Sequence, residues 1–220
     1  HHQKRIPLKA SLHKLVYLHR SIGVSLKNQE NAILRDCQDY QTIKVKLGPH
    51  RSHCEFKLLN KLLQLNPTLR LRLDGDQIFG RNSKLLAPLK SSIEYLETTS
   101  LQQQNEYPRA WDIRDNLPAL INTPVTLVVK PTLGYYPSKL FKLLQAQEPL
   151  PLQIVLSSTY ETEVGLYSHL VLLYFMAKLF PENTSSHHGL DTLAALLPSD
   201  EQLITKKNIF IKNGILSYCP

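Results

Sequence analysis

The chain has 220 residues, of which 42% are hydrophobic and 20% are charged, and its formal net charge is +8. This composition is typical of a globular protein that can bury a core. The basic residues are scattered along the whole length, without an arginine-rich run or zinc-finger spacing, which argues against a nucleic-acid partner. The longest nearly apolar stretch, Leu170 to Phe180, is interrupted by Lys178 and is too short to span a bilayer, so we predict no membrane association.

The three cysteines, Cys37, Cys54 and Cys219, are odd in number and lack the spacing of a metal site. The first residues, from His1, contain no apolar core of a signal peptide. We therefore expect a cytoplasmic protein with reduced thiols, either a monomer or a weak homo-oligomer. The positive net charge suits a small anionic substrate.

Short runs rich in β-branched and aliphatic residues alternate with segments whose apolar residues recur at helical spacing. The runs predict buried parallel strands at Asn31–Leu34, Ile43–Leu47, Leu69–Leu73, Ile93–Leu96, Thr126–Val129 and Gln153–Leu156. The helical patterns cover Cys54–Leu65, Leu140–Ala146 and Val164–Leu179. This alternation predicts an α/β fold with a parallel sheet. Near the C-terminus, Asn213-Gly214 between two apolar runs predicts a strand pair joined by a tight turn.

Two spacings are short for an intact β/α barrel. Glu97 and Asp112 are only 15 positions apart, whereas a crossover between parallel strands needs a dozen or more residues besides the strands. The predicted strand at Asn31 is also followed almost at once by the strand at Ile43. These spacings predict that segments of a complete barrel are absent from the chain.

Acids and lysines follow several of the predicted strands. Lys44 and Lys46 lie in one run, Asp74 and Glu97 end two others, Asp112 follows Ala110-Trp111, and Lys130 ends another. The period of two along a strand places Lys44 and Lys46 on one face. Carboxylates at the carboxyl ends of parallel strands can converge on a divalent cation, with lysines beside them to move a proton. Each acid could instead be a solvated strand end or a helix cap.

Six motifs, in order, resemble known barrel enzymes. Three are similar to successive strands of the enolase superfamily, namely Thr42–Gly48, Leu71–Asp76 and Ile93–Glu97. Three others are similar to one branch of it, the o-succinylbenzoate synthases, namely Val128–Leu133, Leu156–Leu166 and Gly189–Leu193. Two positions differ from the superfamily pattern: Thr98-Thr99 follows Glu97, where the family usually has Glu-Pro, and Ile113-Arg114 follows Asp112, where it usually has Glu-Ser.

The resemblance implies an enolase-type β/α (TIM-like) barrel with a remnant of an N-terminal α+β capping domain. Residues 1–26 would be a partial capping segment, residues 27–200 the catalytic barrel, and residues 201–220 strands that return to the capping domain. The implied activity is dehydration of 2-succinyl-6-hydroxy-2,4-cyclohexadiene-1-carboxylate, a small dicarboxylate, to o-succinylbenzoate in menaquinone biosynthesis.

The resemblance also implies the residue roles. Asp74, Glu97 and Asp112 would bind Mg²⁺, for which Mn²⁺ could substitute, since hard divalent cations prefer oxygen ligands. Lys46 would be the general base and acid, and Lys44 a neighbour that tunes it. Lys130 would stabilise the enediolate by its charge.

Residues near the end of the resemblance would contact the substrate's second carboxylate. These are Ser157, Ser158 and Gly189, acting partly through backbone N–H groups. We interpret Asp191 as a helix cap, and His187 and His188 as surface residues, because adjacent histidines on an extended segment point to opposite sides.

Two alternatives stay open. N-acylamino acid racemisation or dipeptide epimerisation in the same barrel would use Lys46 and Lys130 as bases on opposite faces of the substrate. A degenerate, non-enzymatic paralogue would be consistent with the altered neighbourhood of Asp112.

Overall fold

A computed structural model describes residues 8–11, 14–17, 31, 33–35, 37, 40–47, 53–74, 86–98, 106–113, 125–134, 137–146, 152–159, 161–190, 209–212 and 215–218. The strands are β1 (Leu8–Ser11), β2 (Lys14–Tyr17), β3 (Thr42–Lys46), β4 (Arg70–Asp74), β5 (Ile93–Thr98), β6 (Arg109–Ile113), β7 (Val125–Val129), β8 (Leu152–Leu156), β9 (Ile209–Lys212) and β10 (Ile215–Tyr218). The α-helices are α1 (His53–Leu65), α2 (Pro137–Ala146) and α3 (Glu163–Leu179), and short 3₁₀ helices cover Ala87–Ser92, Pro131–Leu133 and Pro181–Asn183.

The chain divides into two compact units. The first, called here the N-terminal unit, comprises residues 13–112. The second, called the C-terminal unit, comprises residues 1–12 and 113–220.

The N-terminal unit is built on a parallel sheet in which β2, β3, β4, β5 and β6 are neighbours in that order. Its strands are nearly continuous in apolar residues, and Ile43, Val45, Leu71 and Leu73 are fully buried. This is the pattern of a parallel sheet covered on both faces. A register shift between Leu71 and Arg72 marks an irregularity in the pairing of β4 with β5.

The C-terminal unit contains two separate strand groups. The strands β7 and β8 pair in parallel over five residues each. The strands β1, β10 and β9 form an antiparallel sheet in that order. The helix α3 contributes Leu166, Leu170 and Met176 to the buried core of this unit.

Most of the predicted elements are confirmed. The strands predicted at Ile43, Leu69, Ile93, Thr126 and Gln153 correspond to β3, β4, β5, β7 and β8, and the three predicted helices to α1, α2 and α3. The C-terminal strand pair is also confirmed as β9 and β10, although its connecting residues Asn213 and Gly214 lie outside the described part.

The strand predicted at Asn31–Leu34 is wrong. Residues 31, 33–35 and 37 are helical. The apolar residues Ile33, Leu34 and Cys37 follow helical spacing, and Cys37 is buried. A run of three apolar residues was too short to distinguish a strand from a helix.

The segment 1–26, predicted to belong to a capping domain, contains strands with different partners. Leu8–Ser11 pairs with β10, whereas Lys14–Tyr17 pairs with β3 in the parallel sheet. The division into capping and barrel domains stays a prediction. In the part of the chain that the structure describes, no helix is long and apolar enough to cross a membrane.

Candidate active site

The register of the N-terminal unit brings acids and lysines to the carboxyl ends of β3, β4 and β5. Lys46 pairs with Asp74 across β3 and β4, and Asp74 pairs with Glu97 across β4 and β5. Both lysines of β3 contact Asp74, which confirms that Lys44 and Lys46 share one face of the strand. The carboxyl edge of this sheet therefore carries a cluster of alternating charges.

Lys44 lies between two carboxylates. Its Nζ is 2.6 Å from both carboxylate oxygens of Glu97 and 3.1 Å from Asp74 Oδ2. The side chains of Lys44 and Glu97 are only 6% and 3% exposed, so this is a buried ion pair. Removing either partner would leave an uncompensated charge in the interior.

Lys46 differs from Lys44 in its access to solvent. Its Nζ is 2.7 Å from Asp74 Oδ2, and 40% of its side chain is exposed. A lysine that exchanges a proton with a substrate must be accessible, and Lys46 is more accessible than the enclosed Lys44. The geometry thus distinguishes an enclosed cation, Lys44, from a partly exposed one, Lys46.

The pKa directions reflect the position of Lys44 between two carboxylates. Burial opposes charge on Lys44, but the Glu97 and Asp74 carboxylates outweigh it and raise the pKa of its ammonium group. Burial raises the pKa of the Glu97 carboxyl despite Lys44, and the neighbouring acids Asp74 and Asp112 push it in the same direction. Burial also acts to raise the pKa of Asp74, but Lys44 and Lys46 together lower it. Lys44 therefore stays charged at neutral pH.

The third predicted ligand, Asp112, is buried on β6. The charge of Asp112 raises the pKa of Glu97. In the pairing of β5 with β6, Glu97 lies opposite Ala110, which is two residues before Asp112. The three acids thus come from neighbouring strands of one sheet.

The donor set fits a hard divalent cation, because all three predicted ligands are carboxylates. Asp74 Oδ2 lies 2.7 Å from the ammonium nitrogen of Lys46, and Glu97 Oε2 lies 2.6 Å from that of Lys44, so both carboxylates have a compensating positive charge beside them. Among the described residues, no three acidic, histidine or cysteine side chains are grouped closely enough to surround a metal ion. The assignment of the three acids as metal ligands stays a prediction.

The other predicted site residues lie in the C-terminal unit. Lys130 follows β7 and precedes the 3₁₀ helix Pro131–Leu133, and its side chain is half-buried. Ser157 and Ser158 follow β8, and Ser157 forms an isolated parallel bridge with Gly189. The structure therefore brings Ser157, Ser158 and Gly189 together.

The backbone N–H groups of these three residues donate within the protein. Ser157 N donates to Val129 O, Ser158 N to Gly189 O, and Gly189 N to Leu156 O, each at 2.8 Å. The Ser158 hydroxyl also donates to Gly189 O. These N–H groups fix the strand ends, so the expected contact to a carboxylate through them is not supported by the hydrogen bonding.

The surface prediction is wrong for His188, which is buried, and His187 is half-buried. His188 Nδ1 accepts a hydrogen bond from Leu156 N, which ties the segment before Gly189 to the end of β8. Asp191, predicted as a helix cap, lies outside the described residues.

Comparison with known proteins relates the chain to one group of enzymes. No protein-family model matches it. It is 28% identical over 182 residues to the o-succinylbenzoate synthase of Yersinia enterocolitica, covering 74% of the chain and 55% of the relative. It is 29% identical over 183 residues to that of Vibrio cholerae, covering 73% of the chain and 53% of the relative. The resemblance to o-succinylbenzoate synthases is confirmed. The chain spans about half the length of these relatives.

Solved structures with this fold include MenC from Desulfotalea psychrophila, with 16% identity and a TM-score of 0.58, covering 94% of the chain and 60% of that structure. A dipeptide epimerase from Methylococcus capsulatus, complexed with Mg and a dipeptide, has 14% identity and a TM-score of 0.62, covering 96% and 62%. An enolase from Mycobacterium smegmatis has 15% identity and a TM-score of 0.66, covering 96% and 55%. At these identities the likeness concerns the fold alone, and it confirms the predicted α/β, TIM-like class.

Sequence reasoning missed two buried charged residues. Arg72 on β4 is fully buried, pairs with Glu94 at 2.6 Å and lies 5.0 Å from the centre of the Tyr95 ring. Glu161, which follows β8, accepts hydrogen bonds from Thr132 and Thr159. The sequence signal for Arg72 is its position inside an apolar strand. A charged residue at such a position is seldom fully buried without a partner, so the position predicts an ion pair.

Proposed function

We propose that the protein is a divalent-cation-dependent o-succinylbenzoate synthase that removes water from 2-succinyl-6-hydroxy-2,4-cyclohexadiene-1-carboxylate. The observation that carries the proposal is the cluster of Lys44, Lys46, Asp74 and Glu97 at the carboxyl ends of β3, β4 and β5. Sequence similarity to o-succinylbenzoate synthases supports the choice of substrate.

We assign the proton transfers to Lys46, because its side chain is partly exposed whereas that of Lys44 is enclosed. Lys46 would take the proton from the carbon next to the substrate carboxylate. The carbon–oxygen bond to the ring hydroxyl would then break, and the same amine would return the proton to the departing oxygen, so that the two fragments leave as water. The ring gains the double bond that makes it aromatic.

Asp74, Glu97 and Asp112 would hold Mg²⁺ or Mn²⁺ through their carboxylate oxygens. When bound, the cation would offset the negative charge that builds on the substrate carboxylate as the proton is removed. Lys44 keeps Asp74 and Glu97 in place and prevents the buried acids from repelling one another without compensation.

In the C-terminal unit we assign Lys130 to electrostatic stabilisation of negative charge on the substrate, on the basis of the resemblance of Val128–Leu133 to these enzymes. The side chains of Ser157 and Ser158 are our candidates for substrate contact. We do not assign their backbone N–H groups to this role, because these groups donate to Val129 and Gly189.

The test is formation of o-succinylbenzoate by the purified chain, with Mg²⁺ and after removal of divalent cations by a chelator. We expect turnover that stops on chelation and returns with Mg²⁺ or Mn²⁺. An inactive protein that binds no Mg²⁺ by calorimetry would favour the degenerate paralogue. Exchange of the α-proton of an N-acylamino acid or a dipeptide with D₂O, without dehydration, would favour the racemase or epimerase.

A further inference from the structure

Glu161 is a buried acid that the proposed reaction does not use. Its side chain lies just beyond the end of β8, before α3 begins, and the residue is only 8% exposed. Buried carboxylates persist when hydrogen bonds compensate for the loss of water. The hydrogen-bond donors around the Glu161 carboxylate therefore show which segments it holds in place.

The carboxylate of Glu161 binds two threonines from different segments. Thr132 Oγ1 and Thr159 Oγ1 each donate to Glu161 Oε1 at 2.7 Å, and the two hydroxyls are 2.8 Å apart. Thr159 N donates to Glu161 Oε2 at 2.5 Å. One carboxylate thus satisfies a backbone amide and two hydroxyls, and hydrogen bonds to a charged acceptor are the stronger kind.

The two threonines lie next to proposed functional residues. Thr132 is in the 3₁₀ helix that directly follows Lys130 at the end of β7, and Thr159 directly follows Ser157 and Ser158. Glu161 consequently joins the segment after β7 to the segment after β8. Both segments leave the carboxyl ends of paired strands, where active sites of β/α barrels are built.

Charge and packing support a fixed carboxylate. Burial acts to raise the pKa of Glu161, but the bonds from Thr132 and Thr159, with a smaller contribution from His169, lower it overall. Gly165 in α3 makes room for this side chain, since a Cβ at that position would lie 2.6 Å from Glu161 Cβ and 2.9 Å from its Cγ.

We propose that Glu161 is a positioning residue, whose carboxylate clamps the segments after β7 and β8 and thereby fixes Lys130 relative to Ser157 and Ser158. The catalytic consequence rests on the proposed function, whereas the clamp itself does not. Misplacement of such groups by about 1 Å can cost about 10²-fold in rate.

The experiment compares Glu161→Gln and Glu161→Met in the full chain. Both fill the volume of glutamate, but only glutamine keeps an oxygen that can accept from the two hydroxyls. Glu182→Gln, at an exposed position after α3, is the matched control. Amide hydrogen exchange at Thr159, kcat for dehydration and Mg²⁺ affinity are measured for each variant.

We expect Glu161→Met to lose protection at the Thr159 amide and to lower kcat about 10- to 100-fold, with Mg²⁺ affinity unchanged. Glu161→Gln should recover part of kcat, and Glu182→Gln should match wild type. The proposal would be overturned if Glu161→Met had the same kcat as wild type. It would also be overturned if the Thr159 amide of Glu161→Met were as protected from exchange as that of wild type. If the wild-type chain does not dehydrate the substrate, the proposed function fails, and exchange at Thr159 alone decides whether the clamp exists.

Discussion

Lys44→Met tests whether the buried ammonium of Lys44 holds the acidic cluster together. Methionine keeps most of the apolar stem of lysine but removes the charge that lies 2.6 Å from Glu97 and 3.1 Å from Asp74. Glu97, which is 3% exposed, would then be buried without its main partner.

Breaking a buried pair on one side costs about 3–5 kcal/mol, so we expect the free energy of unfolding at pH 7 to fall by roughly that amount. In a chain of this size each kcal/mol corresponds to about 2–4 °C, which predicts a fall in Tm of roughly 6–20 °C. Urea unfolding and calorimetry measure both quantities. Lys57→Met, at an exposed position in α1, should change stability by less than about 0.5 kcal/mol.

The loss of stability in Lys44→Met should depend on pH in one direction. The pKa of Glu97 is already raised in the folded protein by burial, and loss of the Lys44 charge raises it further. A carboxyl with a raised folded pKa destabilises the fold above its unfolded pKa, and this penalty disappears as the pH falls through the folded pKa. The loss of stability in Lys44→Met should therefore become smaller as the pH is lowered from 7 towards the ordinary pKa of a glutamate. A loss below about 1 kcal/mol at pH 7, or one that grows on acidification, would refute the role of Lys44.

Other predictions concern the remaining charged residues. Asp74→Asn should weaken Mg²⁺ binding at least tenfold in calorimetry, because one anionic ligand is lost, whereas Glu182→Gln should not change it. The same variant should be less stable without metal, since Asp74 pairs with both Lys44 and Lys46; a stability gain would show that repulsion among the acids outweighs these pairs. Lys130→Arg should retain more dehydration than Lys130→Ala, because arginine keeps the positive charge; equal loss in both would indicate that Lys130 transfers a proton.

Much of the fold could be predicted from the sequence because its strands are buried on both faces. Continuous apolar runs located β3, β4, β5, β7 and β8, and the period of two placed Lys44 and Lys46 on one face. The convergence of acids at strand ends follows from parallel pairing alone. The helix at residues 31–37 was missed because its apolar run is short enough to suit either structure.

The contacts inside the site could not be predicted in the same way. Which lysine is enclosed depends on the positions of Asp74 and Glu97, which are 30 and 53 residues from Lys44 along the chain. The bond from Thr132 to Glu161 spans 29 residues, and the burial of His188 depends on a donor in β8. Sequence patterns predict which face of a strand a residue occupies. The partners of that residue on other strands can be identified only when the strand register and the loop positions are known.

The most direct test of the central claim is the turnover of Lys46→Ala beside Lys57→Ala at saturating Mg²⁺. Lys46 is the more accessible lysine of the cluster, and Lys57 is an exposed lysine in α1. Loss of the general base should lower kcat by about 10²- to 10⁴-fold in a variant that still folds. Lys57→Ala should retain full turnover. Near wild-type turnover in Lys46→Ala would contradict the assignment of the proton transfer to Lys46.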